Sequence, residues 1–160
     1  MTYPIKQEFI QDFGEAYHRN GLPTLMGRIV GLLLFVNKPI TLDEITEQLN
    51  VSKGPVSQVM RRLRDHHLIQ RIWIPGDRKD YYQPESDIFG NAFRNQVTLM
   101  EQNLSLVHKY KTELKTVDDQ ELDSFALRME EMDQFYGLMK DHFIRFQKEW
   151  MERKKNIIPG

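Results

Sequence analysis

Cysteine is absent from the 160 residues. Disulfides, thiolate metal sites and cysteine nucleophiles are thereby excluded, and such a chain suits a reducing cytosol. Net charge is nearly absent as well: 22 Lys and Arg stand against 23 Asp and Glu, a formal −1. A uniformly basic coat is excluded, and only a local basic patch can remain. No apolar run reaches the ~20 residues of a membrane span. The longest, Leu22–Val36, is broken by Pro23, Thr24 and Arg28. The opening MTYPIKQEF lacks the charged-then-apolar layout of a secretory signal, so a cytoplasmic protein with no membrane partner is expected.

Turn-makers are scarce in the back half. Pro4, Pro23, Pro39, Pro55, Pro75 and Pro84 precede Glu85, and only Gly90 and Gly137 interrupt the stretch from there to Ile158, with Pro159 beyond it. Long helices are predicted behind residue 84. Catalytic signatures are missing too: there is no phosphate loop, GxSxG, HExxH or nucleotide fingerprint. His66 and His67 are adjacent and point apart on a helix, while His18, His108 and His142 are isolated. No enzyme, cofactor or metal site is expected.

What is present is helical periodicity. Ile5, Phe9, Phe13, Ala16 and Tyr17 predict a helix over Ile5–Asn20, stopped by Asn20-Gly21. Thr24–Val36 is apolar nearly all round and reads as a buried helix, in which Gly27 and Gly31 let another helix approach. Arg28 is its odd residue. A buried arginine needs a carboxylate or carbonyl partner, so Arg28 is either a structural or snorkelling side chain or a ligand or switch contact.

Thr41-Leu42-Asp43-Glu44 is a capping box that opens a short helix, Leu42–Leu49. Asn50-Val51-Ser52 is a three-residue break, and Ser52 is an N-cap for a helix over Lys53–His67 that tolerates Pro55 in its first turn. Strand-like runs at Gln70–Pro75 and Asp80–Gln83 flank the polar tip Gly76-Asp77-Arg78-Lys79, a hairpin. Helix, break, helix, hairpin is the order of a winged helix-turn-helix. Behind it, Asp87–Lys115 and Glu121–Lys154 read as long helices, the second opened by Asp118. Leu122, Phe125, Met129, Met132, Tyr136, Met139, Phe143, Phe146 and Trp150 keep 3-4 spacing along it. The remaining chain is too small to cover that stripe, so a second copy is the expected cover, with packing on the other helices as the alternative.

Charge is concentrated in one place. Residues 51–80 hold seven cations (Lys53, Arg61, Arg62, Arg64, Arg71, Arg78, Lys79) against Asp65, Asp77 and Asp80. A basic patch on a near-neutral chain is the electrostatic footprint of a DNA-binding face. On the helix after the break, Val56, Val59, Met60 and Leu63 form an inward stripe, and Lys53, Gly54, Ser57, Gln58, Arg61 and Asp65 lie opposite. Ser57 and Gln58 suit base edges in the major groove, Lys53 a phosphate or a guanine, and Gly54 a close backbone approach. Arg61, Arg62 and Arg64 suit phosphates or support of the wing. Arg78 and Lys79 suit the narrow minor groove, and Asp77 is expected to hold Arg78 or another arginine. The predicted DNA contacts are therefore Ser52, Lys53, Gly54, Ser57, Gln58, Arg61, Arg62, Arg64, Asp77, Arg78 and Lys79.

The segment SKGPVSQVMRRLRDHHLIQRIWIPGDRKDYYQP resembles the MarR-type winged helix-turn-helix repressors. The GDRKDYY wing and the GLPTLMGRIVGLLLF helix are most similar to the GbsR-like branch, some of whose members sense choline or glycine betaine. The resemblance covers about residues 5–85; the later helices agree only in type. It implies a homodimer built from the terminal helices, a recognition helix at Lys53–His67 and a wing at Gln70–Gln83 with Asp77 and Arg78 as its acidic–basic pair. Pro55 and Gln58 depart from the residues usual in that helix, so no operator sequence follows. Phe89, Phe93, Tyr110, Phe125, Phe135, Tyr136, Phe143, Phe146 and Trp150 at helical spacing read as core or dimer seam; under the resemblance they are also candidates for a quaternary-ammonium cage.

The expected fold is mainly α (α+β): a winged helix-turn-helix with long N- and C-terminal dimerisation helices. Its expected segments are 1–36 (N-terminal helices), 37–85 (the DNA-binding domain) and 86–160 (the C-terminal dimerisation region). Phe9, Phe13, Phe125, Met132, Tyr136, Met139, Phe143, Phe146 and Trp150 are the expected dimerisation residues. The expected function is a homodimeric transcriptional repressor on double-stranded DNA, with its recognition helices about 34–36 Å apart and a possible small effector such as choline or glycine betaine releasing it. A winged-helix adaptor that binds protein instead of DNA is the alternative.

Overall fold

The computed structural model describes residues 3–157. The chain divides into two compact units, one ending at Ala92 and the other starting at Phe93.

In the first unit, α1 (Pro4–Arg19) lies against α2 (Thr24–Val36). Glycine makes that approach possible: a Cβ at Gly27 would stand 2.5 Å from the Phe13 carbonyl oxygen, and one at Gly31 3.1 Å from Phe13 Cβ. The first clash is with backbone, so a methyl at Gly27 costs about 1–3 kcal/mol of overpacking. The other faces of α2 bury Ile29, Leu32 and Leu33 completely. These join Ile45, Val56, Leu63, Ile69 and Tyr82 in one core, so the N-terminal helices share their interior with the helices and hairpin that follow.

The capping box forms as the sequence predicts. Thr41 Oγ1 accepts from the Glu44 N–H at 3.2 Å, and the Thr41 N–H donates to Glu44 Oε2 at 2.7 Å. It opens α3 (Leu42–Leu49), which closes on Asn50 in the left-handed region at φ 52°. Ile40–Thr41 also forms a two-residue strand, β1, which no sequence pattern announces because two residues carry no alternation. It pairs antiparallel with β3 (Tyr81–Pro84), which pairs in turn with β2 (Ile69–Ile72), giving the order β1-β3-β2.

Between them runs α4 (Lys53–Asp65). It stops two residues before the predicted His67. His67 adopts φ 59°, and the Leu68 N–H bonds to the Leu63 carbonyl at 2.9 Å, a left-handed closure that turns Leu68 into the core. Glycine normally marks such a closure, so histidine gives no stop signal. Ser52 holds the N-cap position, but its side chain makes no capping bond, contrary to what the sequence suggests.

In the second unit, α5 (Ile88–Leu114, most of it beyond Phe93) and α6 (Asp123–Ile157) run antiparallel, as their side-chain pairs record. Phe93 meets Phe143 and Phe146 at 4.7 and 4.6 Å between ring centroids, Glu101 faces Lys140, and Tyr110 meets Phe125 edge-on at 6.0 Å. At ~1.5 Å per residue, α6 is about 50 Å long. Met100, Leu104 and Val107 on α5 and Met129 on α6 are buried. A single turn, Gln120–Leu122, leads into α6 and is capped by Asp119, whose Oδ1 accepts from the Glu121 N–H at 2.9 Å. The cap falls one position beyond the predicted Asp118, on Asp119, whose backbone is extended as an N-cap requires.

Candidate nucleic-acid interface

The two faces of α4 separate as its sequence requires. Val56, Met60 and Leu63 are buried and Val59 is half-buried, whereas Lys53, Gly54, Ser57, Gln58, Arg61, Arg62 and Arg64 are exposed. Apolar side chains at i, i+4 and i+7 fix the roll of the helix on the core, and that roll turns the polar set outward. Ser52 is exposed at its start. The first-turn N–H groups of α4 receive no side-chain cap, which leaves the positive end of the helix dipole open to an anion.

The wing stands on β2 and β3, whose register pairs Arg71 with Tyr82 and Ile72 with Tyr81. Its tip turns at Gly76, with φ 82°. Asp77 does not hold an arginine, as its sequence context leads one to expect. Its Oδ2 accepts from the Tyr81 hydroxyl at 2.6 Å and its Oδ1 from the Lys79 N–H at 2.9 Å. The Oδ1 bond is an Asx turn, made within two residues, and an arginine reaching in from solvent competes poorly with it. These bonds, the phenol's first, hold the Asp77 carboxyl below its ordinary range, and the same interaction holds the Tyr81 phenol above its own. Asp77 therefore shapes the tip, and Arg78 and Lys79 stay exposed beside it. Tyr81 is the partner of Asp77 that sequence reasoning misses. A polar Gly-Asp tip signals a turn, but a tyrosine four residues on signals only a strand.

Among the described residues, two cations of this basic segment carry carboxylate partners. Lys53 Nζ lies 3.6 Å from Asp43 Oδ1 on α3, and Arg71 lies 3.7 Å from Asp80 across the hairpin; all four side chains are more than half exposed. Solvent screens such pairs to little net stability. Lys53 and Lys79 also line one open cavity of about 210 Å³, together with Thr41, Leu42, Asp43, Asp80 and Tyr82. The start of α4 and the wing thus converge on the same recess.

Arg28 is half-buried and finds a carbonyl, one of the two partner types expected for it. Its Nη2 donates to the Leu49 carbonyl oxygen at 3.0 Å. Of the residues expected at a dimer seam, Phe9 and Phe13 are half-buried and meet at a tilt with ring centroids 5.4 Å apart, and Phe13 packs against the first unit's core. Met132, Tyr136, Met139, Phe143 and Trp150 are half-buried, while Phe125 is 39% and Phe146 53% exposed. Among the described residues no group of three His, Asp or Glu side chains is placed to hold a metal ion, and no helix is long and apolar enough to cross a membrane.

Comparison with known proteins agrees with this geometry. The MarR family model matches residues 32–81, the stretch from α2 through the wing. The Bacillus subtilis protein YvaV, named as an HTH-type transcriptional regulator, is 31% identical over 121 residues, which is 73% of this chain and 68% of YvaV. The B. subtilis HTH-type transcriptional repressor OpcR is 33% identical over 84 residues, 52% of this chain and 45% of OpcR. A crystal structure of a transcriptional regulator superposes with a TM-score of 0.79 at 22% identity, covering 93% of this chain and 99% of its own, and shows the fold to be shared. With a helix-turn-helix, a wing and a basic outer face on one unit, the chain belongs to the MarR family and is a DNA-binding transcriptional regulator.

Proposed function

We propose that the protein is a cytoplasmic homodimeric repressor, not an enzyme, whose α4 reads base edges in the major groove while its wing enters the adjacent minor groove. The observation that carries this reading is the shared recess: Lys53 at the start of α4 and Lys79 on the wing line one cavity. A phosphate that displaces the Asp43 and Asp80 carboxylates lining the same recess meets both ammonium groups. Ser52, Gly54, Ser57 and Gln58 then face the bases, and Arg61, Arg62, Arg64 and Arg78 the flanking backbone and minor groove.

The dimer reading is supported by the apolar flank of α6, where Leu127, Phe135, Leu138 and Phe146 are 73, 59, 60 and 53% exposed. So much uncovered apolar surface on one helix is unusual for a monomer. A small effector releases the DNA in this proposal. The cavity of about 210 Å³ lined by Tyr110, Glu113, Leu114, Val117, Leu122 and Phe125 offers two aromatic rings and a carboxylate, a chemistry that suits a small cation such as choline. Glycine betaine, which the GbsR-like resemblance implies equally, presents the same trimethylammonium group.

The test is a gel shift with a salt titration on the duplex upstream of the protein's own reading frame. Binding is expected to weaken steeply with salt, and Lys53→Ala with Arg78→Ala is expected to abolish most of it. Binding that ignores the double substitution, or a partner protein bound with no salt-dependent affinity for DNA, overturns the reading in favour of a protein adaptor.

A further inference from the structure

We infer that Arg28 is a positioning residue, the strut through which the α1–α2 pair sets the placement of the recognition helix. The inference rests on the DNA-reading proposal above. Arg28 lies on α2, and its Nη2 reaches the carbonyl of Leu49, the last residue of α3. That oxygen is one of the terminal carbonyls a helix leaves without an internal partner. The next residue, Asn50, is already left-handed, and α4 starts at Lys53. The bond therefore holds α3 where the turn of the helix-turn-helix begins.

The rest of the side chain is arranged around that bond. A Cβ at Gly14 would stand 2.8 Å from Arg28 Cγ and 3.2 Å from Thr24, so the glycine of α1 clears the path for the arginine stem. Arg28 Nε is buried and has no hydrogen-bond partner among the described residues. A buried donor left unmade costs stability, and an unbranched apolar side chain would fill the same space without that cost. Packing alone does not account for an arginine here; a directional bond from α2 to the end of α3 does.

The test uses the full chain and the duplex that the wild-type protein selects from a randomised library. Arg28→Met is expected to keep or raise the melting temperature and to weaken DNA binding about tenfold, equivalent to roughly one well-placed hydrogen bond. The slope of affinity against salt is expected to stay unchanged, because the same phosphates remain engaged. Arg28→Lys, which still offers one donor to the Leu49 carbonyl, is expected to recover most of the affinity. In the absence of DNA, exchange of the Asn50 and Val51 amides, which bond to Glu47 and Thr46 at 3.2 Å each, is expected to quicken in Arg28→Met. If Arg28→Met does not fold, Arg28→Gln, too short to span to α3, takes its place in every measurement. Wild-type affinity in the variant, an affinity loss matched by a fall in melting temperature, or a changed salt slope overturns the inference. A wild-type protein that selects no duplex instead refutes the DNA reading, and the amide exchange then still decides whether the strut exists.

Discussion

The Tyr81 hydroxyl donates to Asp77 Oδ2 at 2.6 Å, tying the base of the wing to its tip. With the Lys79 N–H on the other oxygen, one carboxylate sets the direction in which Arg78 and Lys79 project.

Tyr81→Phe removes that tie and leaves the sheet register intact. DNA affinity is expected to fall about threefold to tenfold, with little change in melting temperature, as gel shift and thermal unfolding will measure. The pH dependence has a definite sign. The Asp77 carboxyl is held below its ordinary range, so its contribution is complete at neutral pH and fades as the pH falls through that lowered value. The phenol is held above its own range, so its contribution fades only as the pH rises past ordinary tyrosine ionisation. Amide exchange at Lys79 across acidic pH reads the first limb.

Asp43→Asn frees Lys53 from the carboxylate 3.6 Å away. Affinity for duplex DNA is expected to rise, most strongly at low salt, because a phosphate no longer has to displace a competing anion. Lys53→Ala is expected to do the reverse and to reduce the salt slope by about 0.9, the value for one fewer neutralised phosphate on B-DNA. An unchanged slope in Lys53→Ala removes Lys53 from the interface.

The flank of α6 is tested by Phe135→Glu with Leu138→Glu. Both side chains are more than half exposed, so the fold is expected to persist while the dimer dissociates, as sedimentation velocity will show. A dimer of wild-type stability places the seam elsewhere.

Lys111 lies 2.6 Å from both Glu130 and Asp133, and His108 Nε2 lies 3.1 Å from Asp133. Hydrogen bonds from the ammonium group hold both carboxyl groups below their ordinary range. The wild-type cluster therefore stabilises the second unit at neutral pH and loses that contribution as the pH falls through the lowered values. Lys111→Met leaves two carboxylates facing each other, so the sign inverts: the variant's melting temperature is expected to rise as the pH is lowered from neutrality. Parallel acid limbs for variant and wild type count against the cluster.

The helices and the hairpin are legible in the sequence because their physics is local: apolar residues at helical spacing, a Thr41–Glu44 cap, and a glycine-bearing tip. The exposed faces of α4 and the wing follow from the same spacing, since burying Val56, Met60 and Leu63 leaves Lys53 and Arg61 only one side to occupy. What escapes depends on chain closure in three dimensions. His67 stops α4 because Leu68 has to turn inward, not because histidine breaks helices. Asp77 takes a tyrosine because the hairpin brings Tyr81 back beside it, and Arg28 takes the Leu49 carbonyl because α2 crosses the end of α3.

Thr41 serves two masters. Its backbone belongs to the sheet, opposite Tyr81, while its hydroxyl and N–H close the front of α3. Thr41 therefore joins the hairpin directly to the first helix of the motif, beside the Ile40–Tyr82 pair and the core they share. A displacement of β3 is expected to reach the front of α3 through the residue that both elements share.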